Sequence, residues 1–359
     1  MNQRVVYLQR RSHKAGAQTC LARLARNPHL ASYRPIVVCG EQGWLTEELA
    51  RHGVEFLVEP FPSSRSLAGR LWANRLFTGR VVKKLSRLGD RFVVHGNDHQ
   101  EAIPTLMIAA QLQAPTALFF RSAGMNRQDY KKYECADIDL ALTVSDQLAG
   151  RLADWDPIET FRIVNDGIYP EEITDTPRAI EHPPRRFLVL GSPLELKGWR
   201  DLIDALCHLH SQGVSLAGLS FDFTGNAPGP ENDLGLGRLP DLQFCFLGRR
   251  NDFPALLTDY DFAVNPSRHE TFGMAAVETV AFGLPLLSSE TGVLGEVLDS
   301  SLLFKPGDTL ELVKKIKSVI GSNPPDVAAR KSFQRNVLSR FNINNSAIYL
   351  AELYRERFA

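Results

Sequence analysis

The chain has 359 residues, of which 44% are hydrophobic and 23% are charged. This composition is ordinary for a globular protein and excludes a disordered or collagen-like chain. The 41 Lys and Arg residues balance 41 Asp and Glu residues, and zero net charge argues against a general nucleic-acid-binding protein. The length predicts two domains rather than a single core.

The spacing of the cysteines and the length of the apolar runs indicate the cellular compartment of the protein. No two cysteines form a close pair or a zinc-binding spacing, which favours a reducing, cytoplasmic environment. The cysteines are Cys20, Cys39, Cys135, Cys207 and Cys245. The first apolar stretch is too short for a signal peptide, and no run approaches the ~18 residues of a membrane span. We therefore expect a cytoplasmic protein that is soluble or bound to a membrane surface.

Short apolar runs alternate with segments of helical spacing along the chain. In the first half these runs are residues 5–8, 36–39, 54–58, 92–95, 116–120 and 140–144. In the second half they are residues 187–190, 221–224, 243–247, 262–265 and 286–289. Brief, continuous apolar runs are typical of buried parallel strands. Their alternation with helices predicts an α/β fold with two doubly wound sheets.

The stretch between the two series is rich in Pro, Glu and Thr and has no apolar period, which predicts a linker. We predict a Rossmann-like domain over residues 1–168, a linker over 169–186, a second Rossmann-like domain over 187–340 and a helical segment over 341–359. Because such sheets bind ligands at the carboxyl ends of their strands, we expect the chemistry in a cleft between the domains.

The most informative segment is PSRHETFGMAAVETVAFG, residues 266–283, which follows a predicted strand. Residues 271–273 predict a tight turn that opens a helix, where free N–H groups form an anion site. Gly273 lets a ligand approach the backbone closely. Glu270 precedes the helix and Glu278 lies inside it. Two isolated glutamates are mostly solvated surface residues, but the strand–loop–helix context favours a binding site.

The run NPSRHETFGMAAVETVAFGLPLLSSETGVLGEVL resembles the signature of retaining glycosyltransferases of GT-B fold, family four. The segments LGSPLELKGWRDLIDAL, FLGRRNDFPALLTDYDFAVNPS and LLFKPGD resemble further family elements, and AGAQTCLARLA, VVHGND and ALTVS match more loosely. The resemblance implies a GT-B fold, in which two Rossmann-like domains face a cleft. The nucleotide sugar would bind mainly the second domain and the acceptor mainly the first, and the C-terminal helix would cross back to the first domain.

The resemblance also implies roles for donor-site residues. Glu270 would hydrogen-bond the donor sugar, Glu278 would hold the ribose, and Lys197 would neutralise the diphosphate beside the helix that follows Gly198. Contacts to sugar or phosphate would come from backbone groups of Thr271, Phe272, Gly273 and Met274. Fixed cations and N–H donors can stabilise the charge of a leaving diphosphate without a metal, so no metal or other cofactor is expected. Where the family usually has an arginine before the lysine, this chain has Ser192, and Arg249 or Arg250 is our candidate to replace it.

In the first domain, Arg121 stands where the family often has a histidine. Either Arg121 replaces that histidine, where it could bind an acidic acceptor or a phosphate but not act as a base, or the acceptor is oriented differently. Asp98 is the best general-base candidate by position. Residues of the first loop and of the end of the fourth strand are candidates to contact the acceptor or the diphosphate. These are His13, Lys14, Gly16, His95 and Asn97, together with His99. A mobile basic loop and a buried polar cluster are the alternatives.

Residues 67–91 have one basic face when plotted as a helix, and two apolar side chains lie beside it. The predicted face comprises Trp72, Leu76, Arg80, Lys83, Arg87 and Arg91. Residues 1–91 contain 16 basic and 6 acidic residues, whereas the other 268 contain 25 and 35. This distribution favours contact with an anionic membrane surface, and a solvated helix is the alternative. Nucleic acid is not expected as a partner, because no stacking aromatic series accompanies the charge.

The sequence therefore predicts a retaining, metal-independent glycosyltransferase that moves a sugar from a nucleotide diphosphate sugar to a saccharide or lipid-linked acceptor. Cell-envelope polysaccharide, lipopolysaccharide or glycolipid synthesis is the expected setting, at the inner face of the cytoplasmic membrane. The alternatives are a sugar-nucleotide epimerase on the same fold and a non-catalytic nucleotide-sugar-binding protein. A dehydrogenase is not expected, because no G-x-G-x-x-G follows the first strand.

Overall fold

The computed structural model describes residues 3–62, 67–157, 160–173, 179–180, 182–229, 233–248, 250 and 252–358, with the backbone alone described for 67–71. The chain divides into two compact units. Residues 1–169 and 341–359 form the N-terminal unit, and residues 170–340 form the C-terminal unit. The polypeptide therefore returns to the first unit at its end.

In its described residues, the N-terminal unit contains one sheet of seven parallel strands in the order β3-β2-β1-β4-β5-β6-β7. The strands are β1 (Gln3–Gln9), β2 (Ile36–Cys39), β3 (Glu55–Val58), β4 (Arg91–Gly96), β5 (Thr116–Phe120), β6 (Leu140–Thr143) and β7 (Arg162–Ile163). The helices are α1 (Gly16–Ala25), α2 (Trp44–Arg51), α3 (Leu67–Leu85), α4 (Ala102–Leu112), α5 (Arg127–Lys132), α6 (Asp146–Ala153) and α12 (Ile343–Phe358). The strand order is that of a doubly wound sheet, which reverses between β1 and β4.

The described part of the C-terminal unit has six parallel strands in the order β10-β9-β8-β11-β12-β13. The strands are β8 (Arg186–Val189), β9 (Ser220–Phe223), β10 (Gln243–Phe246), β11 (Phe262–Asn265), β12 (Leu286–Ser289) and β13 (Leu303–Phe304). The helices are α7 (Trp199–Ser211), α8 (Phe253–Leu257), α9 (Met274–Ala281), α10 (Thr309–Ile320) and α11 (Val327–Arg340). Here the order reverses between β8 and β11, which is where ligands bind in sheets of this type.

The inner strands of each sheet are buried because they are apolar on both faces. In register, Val6 of β1 lies beside Ile36 on one side and Val94 on the other, and all three are at most 1% exposed. In the C-terminal unit Phe187 and Phe221 of neighbouring strands stack with their ring centroids 4.5 Å apart. Continuous apolar runs of this kind confirm the prediction of parallel strands covered by helices on both faces.

The C-terminal helix α12 packs on the N-terminal unit. The hydroxyl groups of Tyr354 and Tyr7 lie 3.2 Å apart, and the ring of Tyr33 meets that of Tyr354 edge-on at 5.3 Å. Asn27 Nδ2 donates to Asn344 Oδ1 at 2.8 Å. A buried tyrosine whose hydroxyl has a partner fixes the helix both by packing and by hydrogen bonding.

The segment 67–91 differs from its prediction as one helical face. Helix α3 is continuous through Gly79 and ends at Leu85. Gly89 then adopts a left-handed conformation (φ 66°), which favours glycine and turns the chain into β4. Arg87 therefore lies in a 3-10 turn and Arg91 begins a strand, so neither belongs to the helical basic face. Among the described residues, none of the helices is long and apolar enough to cross a membrane.

Candidate functional site

The candidate site of the C-terminal unit lies at the carboxyl edge of its sheet, between β8 and β11. After β8 the chain passes Gly191 and Ser192 into a 3-10 turn at Glu195–Lys197 and then into α7. After β11 it forms a loop, residues 266–273, that opens α9. Both loops follow neighbouring strands, so side chains more than 70 positions apart in sequence can meet.

Lys197 and Glu270 form an ion pair that joins these two loops. Lys197 Nζ donates to Glu270 Oε1 at 2.7 Å, and Ser267 Oγ donates to the same oxygen at 2.8 Å. The side chains of Lys197 and Glu270 are 20% and 15% exposed, so the pair is sheltered but open to a ligand. The structure thus brings together the two residues that the resemblance assigns to the diphosphate and to the donor sugar.

Two glycines allow the loops to approach each other. Gly198 has a left-handed conformation (φ 64°), and a Cβ there would lie 1.9 Å from the carbonyl oxygen of Pro266. Gly273 is also left-handed (φ 95°) and forms the N-cap of α9. Only glycine adopts such conformations at low cost, so both positions require it.

The start of α9 has the expected form of an anion site. The first bond of the helix runs from Val277 N–H to Gly273 C=O, so the amide groups of the first turn, which begins at Met274, have no acceptor within the helix. Thr271 is half-buried, the Phe272 side chain is 2% exposed, and the Phe272 carbonyl accepts from Val293 N–H. Phe272 therefore fixes the loop through its buried side chain and its carbonyl hydrogen bond.

The remaining predicted donor-site residues differ in their exposure to solvent. Glu278 is half-buried within α9, and Ser192 is half-buried directly after β8. Arg249 lies outside the described residues. Arg250, the alternative to Arg249, is exposed and donates from Nε and Nη2 to the two carboxylate oxygens of Asp252 at 2.8 and 2.5 Å.

In the N-terminal unit, Asp98 lies after β4 and is surrounded by hydrogen-bond donors. It accepts hydrogen bonds from His99 N–H at 2.8 Å, His99 Nδ1 at 3.0 Å, Arg121 N–H at 3.1 Å and the Ser122 hydroxyl. Burial alone would raise the pKa of Asp98, but the hydrogen bonds of His99 and Ser122 outweigh it and hold this pKa below its usual range. Asp98 is therefore ionised and fixes the loop around Arg121, and its role as a general base stays a prediction.

A second carboxyl group in this cluster, Glu101, was missed by the sequence analysis. It is 2% exposed, and its Oε1 accepts from Arg10 N–H at 3.1 Å. Burial and the nearby negative charge of Asp98 raise the pKa of Glu101 to about 8. Glu101 is thus mainly protonated at neutral pH and ties the loop after β1 to the start of α4. Nothing in its sequence surroundings distinguishes it from an exposed glutamate.

Glu101 makes the stability of the N-terminal unit depend on pH. Because its folded pKa lies above the ordinary value of 4.5, its contribution is complete below pH 4.5 and is lost as pH rises through 8. The loss should approach ~1.4 kcal/mol per pH unit within this window. We expect Glu101→Gln, which keeps an acceptor for Arg10, to flatten the fall of melting temperature between these pH values. The exposed Glu47→Gln is the control, and identical pH profiles for Glu101→Gln and the wild type would contradict the assignment.

Arg121 is an internal structural residue of the N-terminal unit in this structure. Its guanidinium forms an ion pair with Asp166 and lies 4.1 Å from the ring centroid of Phe119. The side chains of Arg121 and Asp166 are 3% and 6% exposed. Asp166, a further residue that sequence reasoning missed, therefore supplies the counter-charge that permits an arginine in this position.

His95 and Asn97 do not face a ligand surface, which corrects the prediction made for them. The His95 ring is fully buried, stacks on Phe119 at 4.8 Å, and its Nδ1 hydrogen-bonds the Tyr354 hydroxyl of α12. Burial lowers the pKa of His95 well below its ordinary value, so the ring is neutral. Asn97 is also fully buried and donates to Gln9 Oε1 at 2.5 Å and to the carbonyl of Ala17 at 3.3 Å.

The loop between β1 and α1 is the more accessible part of this edge. His13 is exposed, and Lys14 Nζ lies 5.7 Å from the ring centroid of Trp44. Gly16 is exposed and begins α1. His99, by contrast, is 4% exposed and is fixed by Asp98. No group of three or more His, Cys, Asp or Glu side chains arranged to hold a metal ion occurs within the described ranges.

The family model for glycosyl transferases group 1 matches residues 184–322. The 2-deoxystreptamine glucosyltransferase of Streptomyces kanamyceticus is 27% identical over 205 residues, which cover 52% of this chain and 51% of that enzyme. The chain thus spans about half the length of this relative. The lipopolysaccharide core biosynthesis mannosyltransferase LpsB of Rhizobium meliloti is 22% identical over 279 residues, 73% of this chain and 78% of that enzyme.

Solved structures share the fold over nearly the whole chain. Anabaena Alr3699/HepE in complex with UDP and glucose has a TM-score of 0.79 at 18% identity, with 98% of this chain and 99% of that chain covered. The lipopolysaccharide outer core galactosyltransferase WaaB has a TM-score of 0.69 at 14% identity, with 99% of this chain and 99% of that chain covered. The family match thus covers residues 184–322, and the likeness to solved structures shows a GT-B fold over nearly the whole chain.

Proposed function

We propose that this protein is a retaining, metal-independent glycosyltransferase that moves a sugar from a nucleotide diphosphate sugar to a saccharide or lipid-linked acceptor of the cell envelope. The observation that carries this proposal is the Lys197–Glu270 pair at the carboxyl edge of the C-terminal sheet, beside the start of α9. Both residues lie within the region that matches the family model.

The site supplies what departure of a nucleoside diphosphate requires. Negative charge develops on the leaving phosphate as the glycosidic bond breaks, and fixed cations and N–H donors stabilise it most when they are already oriented. Lys197 provides the cation, and the first turn of α9 provides N–H groups and the positive end of a helix dipole. These groups offset the charge of the diphosphate, which supports a reaction without a metal ion.

Glu270 is suited to bind the hydroxyl groups of the donor sugar. Its Oε1 already accepts from Lys197 and Ser267, so its orientation is fixed before a ligand arrives. The carboxylate has further acceptor sites for sugar hydroxyls. Such pre-orientation reduces the entropy that substrate binding must cost.

We propose that the acceptor hydroxyl gives its proton to the departing phosphate rather than to a side-chain base. The hydrogen bonding of Asp98 supports this, because four donors occupy its oxygens and hold its pKa low. Proton transfer to the leaving group places the acceptor on the face that the diphosphate leaves, which retains the anomeric configuration. Among the predicted acceptor residues, the exposed His13 and its neighbour Lys14 are the best placed for acceptor contact.

The donor class is proposed from the relatives. HepE was solved with UDP and UDP-glucose, and the similar enzymes include a glucosyltransferase and a mannosyltransferase. A nucleotide hexose is therefore the first class to test. The full chain should gain thermal stability with one nucleotide sugar, since ligand binding stabilises the folded state by mass action. Analysis of the products formed from that donor, with and without acceptor, distinguishes transfer from epimerisation. An epimerised nucleotide sugar formed without acceptor would contradict the proposal.

We further propose that helix α3 contacts an anionic membrane at the cytoplasmic side. Trp72 and Leu76 are 67% and 41% exposed, one helical turn apart. Arg75, Arg80 and Lys83 are exposed on the same helix, and we call these five residues the α3 surface. Exposed aromatic and aliphatic side chains among basic ones are typical of interfacial helices.

The carboxylate of Glu59 reduces the positive charge of the α3 surface at Arg80. Arg80 pairs with Glu59, and Lys84 donates to the same carboxylate at 2.9 Å. Burial would raise the pKa of Glu59, but its bonds to Lys84 and Arg80 outweigh burial and lower it. Glu59 is therefore ionised at neutral pH, and the three groups together contribute a single positive charge.

Replacing Trp72 and Leu76 together by serine should weaken binding to phosphatidylglycerol vesicles by at least about tenfold, because two apolar side chains no longer enter the interface. Vesicle co-sedimentation measures this binding. Leu310→Ser, which removes a 62% exposed leucine from α10, is the matched control and should leave binding unchanged. Equal vesicle binding by the wild type and the double variant would contradict a role of α3.

A further inference from the structure

Two side chains without a proposed ligand contact, Arg268 and Asp201, connect the loops of the donor site. Arg268 lies between Ser267 and Glu270 in the loop after β11, and Asp201 lies in the first turn of α7. Arg268 Nε and Nη2 donate to the two carboxylate oxygens of Asp201, each at 2.7 Å. A bidentate pair of this geometry fixes both the distance and the orientation of its partners.

The same arginine reaches the turn that contains Lys197. Arg268 Nη1 donates to Glu195 Oε1 at 3.2 Å, and Arg268 N–H donates to the Leu196 carbonyl at 2.8 Å. Arg268 is thus bonded to residues on both sides of Lys197 while it is two residues from Glu270. These contacts span the two loops whose meeting forms the site.

The Arg268–Asp201 pair holds the loops because its carboxylate is much more buried than its guanidinium. The Asp201 side chain is 8% exposed, whereas that of Arg268 is 42% exposed. A sheltered carboxylate that loses its cation retains its desolvation cost, so the loops would rearrange to hydrate it. Because Glu270 is only two residues from Arg268, such a rearrangement would move the Glu270 carboxylate away from its present position.

We infer that Arg268 is a positioning residue: its bidentate pair with Asp201 sets the Glu270 carboxylate against Lys197 and the donor sugar. This inference rests on the proposed function for its substrate. Arg268 itself contacts no substrate, and its effect is through Glu270. A lysine keeps the charge but not the bidentate geometry, so the geometry can be tested separately from the charge.

The test compares the binding of a nucleotide sugar with that of its nucleoside diphosphate, by calorimetry on the full chain. In Arg268→Lys and Arg268→Gln we expect affinity for the nucleotide sugar to fall about tenfold, while that for the nucleoside diphosphate changes less than about twofold. Transfer should fall by ~10–100-fold, the scale of a misplacement of about 1 Å. Asp201→Asn should act like Arg268→Gln, and the double variant should be no worse than either single one.

Arg238→Gln is the matched control. It breaks the ion pair between Arg238 Nη2 and Asp204 Oδ1, which are 2.7 Å apart, and Asp204 lies in α7 as Asp201 does. Both side chains of this pair are exposed. It should change neither affinity. Unchanged nucleotide-sugar affinity in Arg268→Lys, or equal losses for both ligands, would overturn the inference. A wild-type chain that binds nucleotide sugars but transfers none would contradict the proposed function and leave the binding comparison valid, whereas no binding by the wild type would overturn both.

Discussion

Replacing Glu270 by alanine should abolish transfer, which means a fall in rate of at least about a thousandfold. The change removes the carboxylate proposed to hold the sugar hydroxyls. It also removes the partner of Lys197, whose ammonium now lies 2.7 Å from Glu270 Oε1. The transition state thus loses an oriented acceptor and the fixed position of a cation. Acceptor-dependent release of nucleoside diphosphate measures the effect.

The control for this variant is Glu296→Ala, which breaks the Glu296–Arg340 ion pair elsewhere in the same unit. Its rate should stay within about twofold of wild type, because an exposed pair contributes about 0–1 kcal/mol. Glu270→Gln should retain part of the activity, since its amide oxygen still accepts a hydrogen bond. Near-wild-type transfer by Glu270→Ala would contradict the assignment of the site.

Replacing Asp166 by asparagine should destabilise the N-terminal unit by about 3–5 kcal/mol, because Arg121 would keep a buried charge without its counter-charge. The Arg121 side chain is 3% exposed, so solvent cannot replace the lost partner. For a unit of this size the thermal transition should fall by about 10 °C. Differential scanning calorimetry measures the change.

Two further variants separate the charge from other effects of the substitution. Arg121→Met combined with Asp166→Leu should recover most of the stability, because it removes both buried charges together. Arg51→Met, which breaks the surface pair with Glu48, should cost less than about 1 kcal/mol. A loss of less than about 1 kcal/mol in Asp166→Asn would contradict the structural role of the pair.

The fold followed from local patterns of the sequence. Continuous apolar runs marked the inner strands, and β11 and β12 have the predicted bounds at residues 262–265 and 286–289. The two-residue strands β7 and β13 were missed, because a run of two residues carries no period. The end of α3 was also missed: the helix ends at Leu85, and a 3-10 turn and the left-handed Gly89 follow before β4 begins.

The donor site was accessible to prediction because its residues lie in one contiguous motif and one Lys-Gly turn. The N-terminal unit was harder, since the state of each side chain there depends on distant partners. His95 is covered by Tyr354, which is 259 positions away, and Arg121 is neutralised by Asp166, 45 positions away. Asp98 is a similar case, because Ser122 and the Arg121 amide meet it only after β4 and β5 have paired.

The central claim is that the edge carrying Lys197 and Glu270 catalyses sugar transfer from a nucleotide diphosphate donor. The most direct measurement combines the full chain, the nucleotide sugar that stabilises it most and a panel of envelope saccharide and lipid acceptors, with EDTA present. We expect acceptor-dependent release of nucleoside diphosphate and a product with the anomeric configuration of the donor, both lost in Glu270→Ala. Inverted product, or release at equal rates by the wild type and Glu270→Ala, would contradict it.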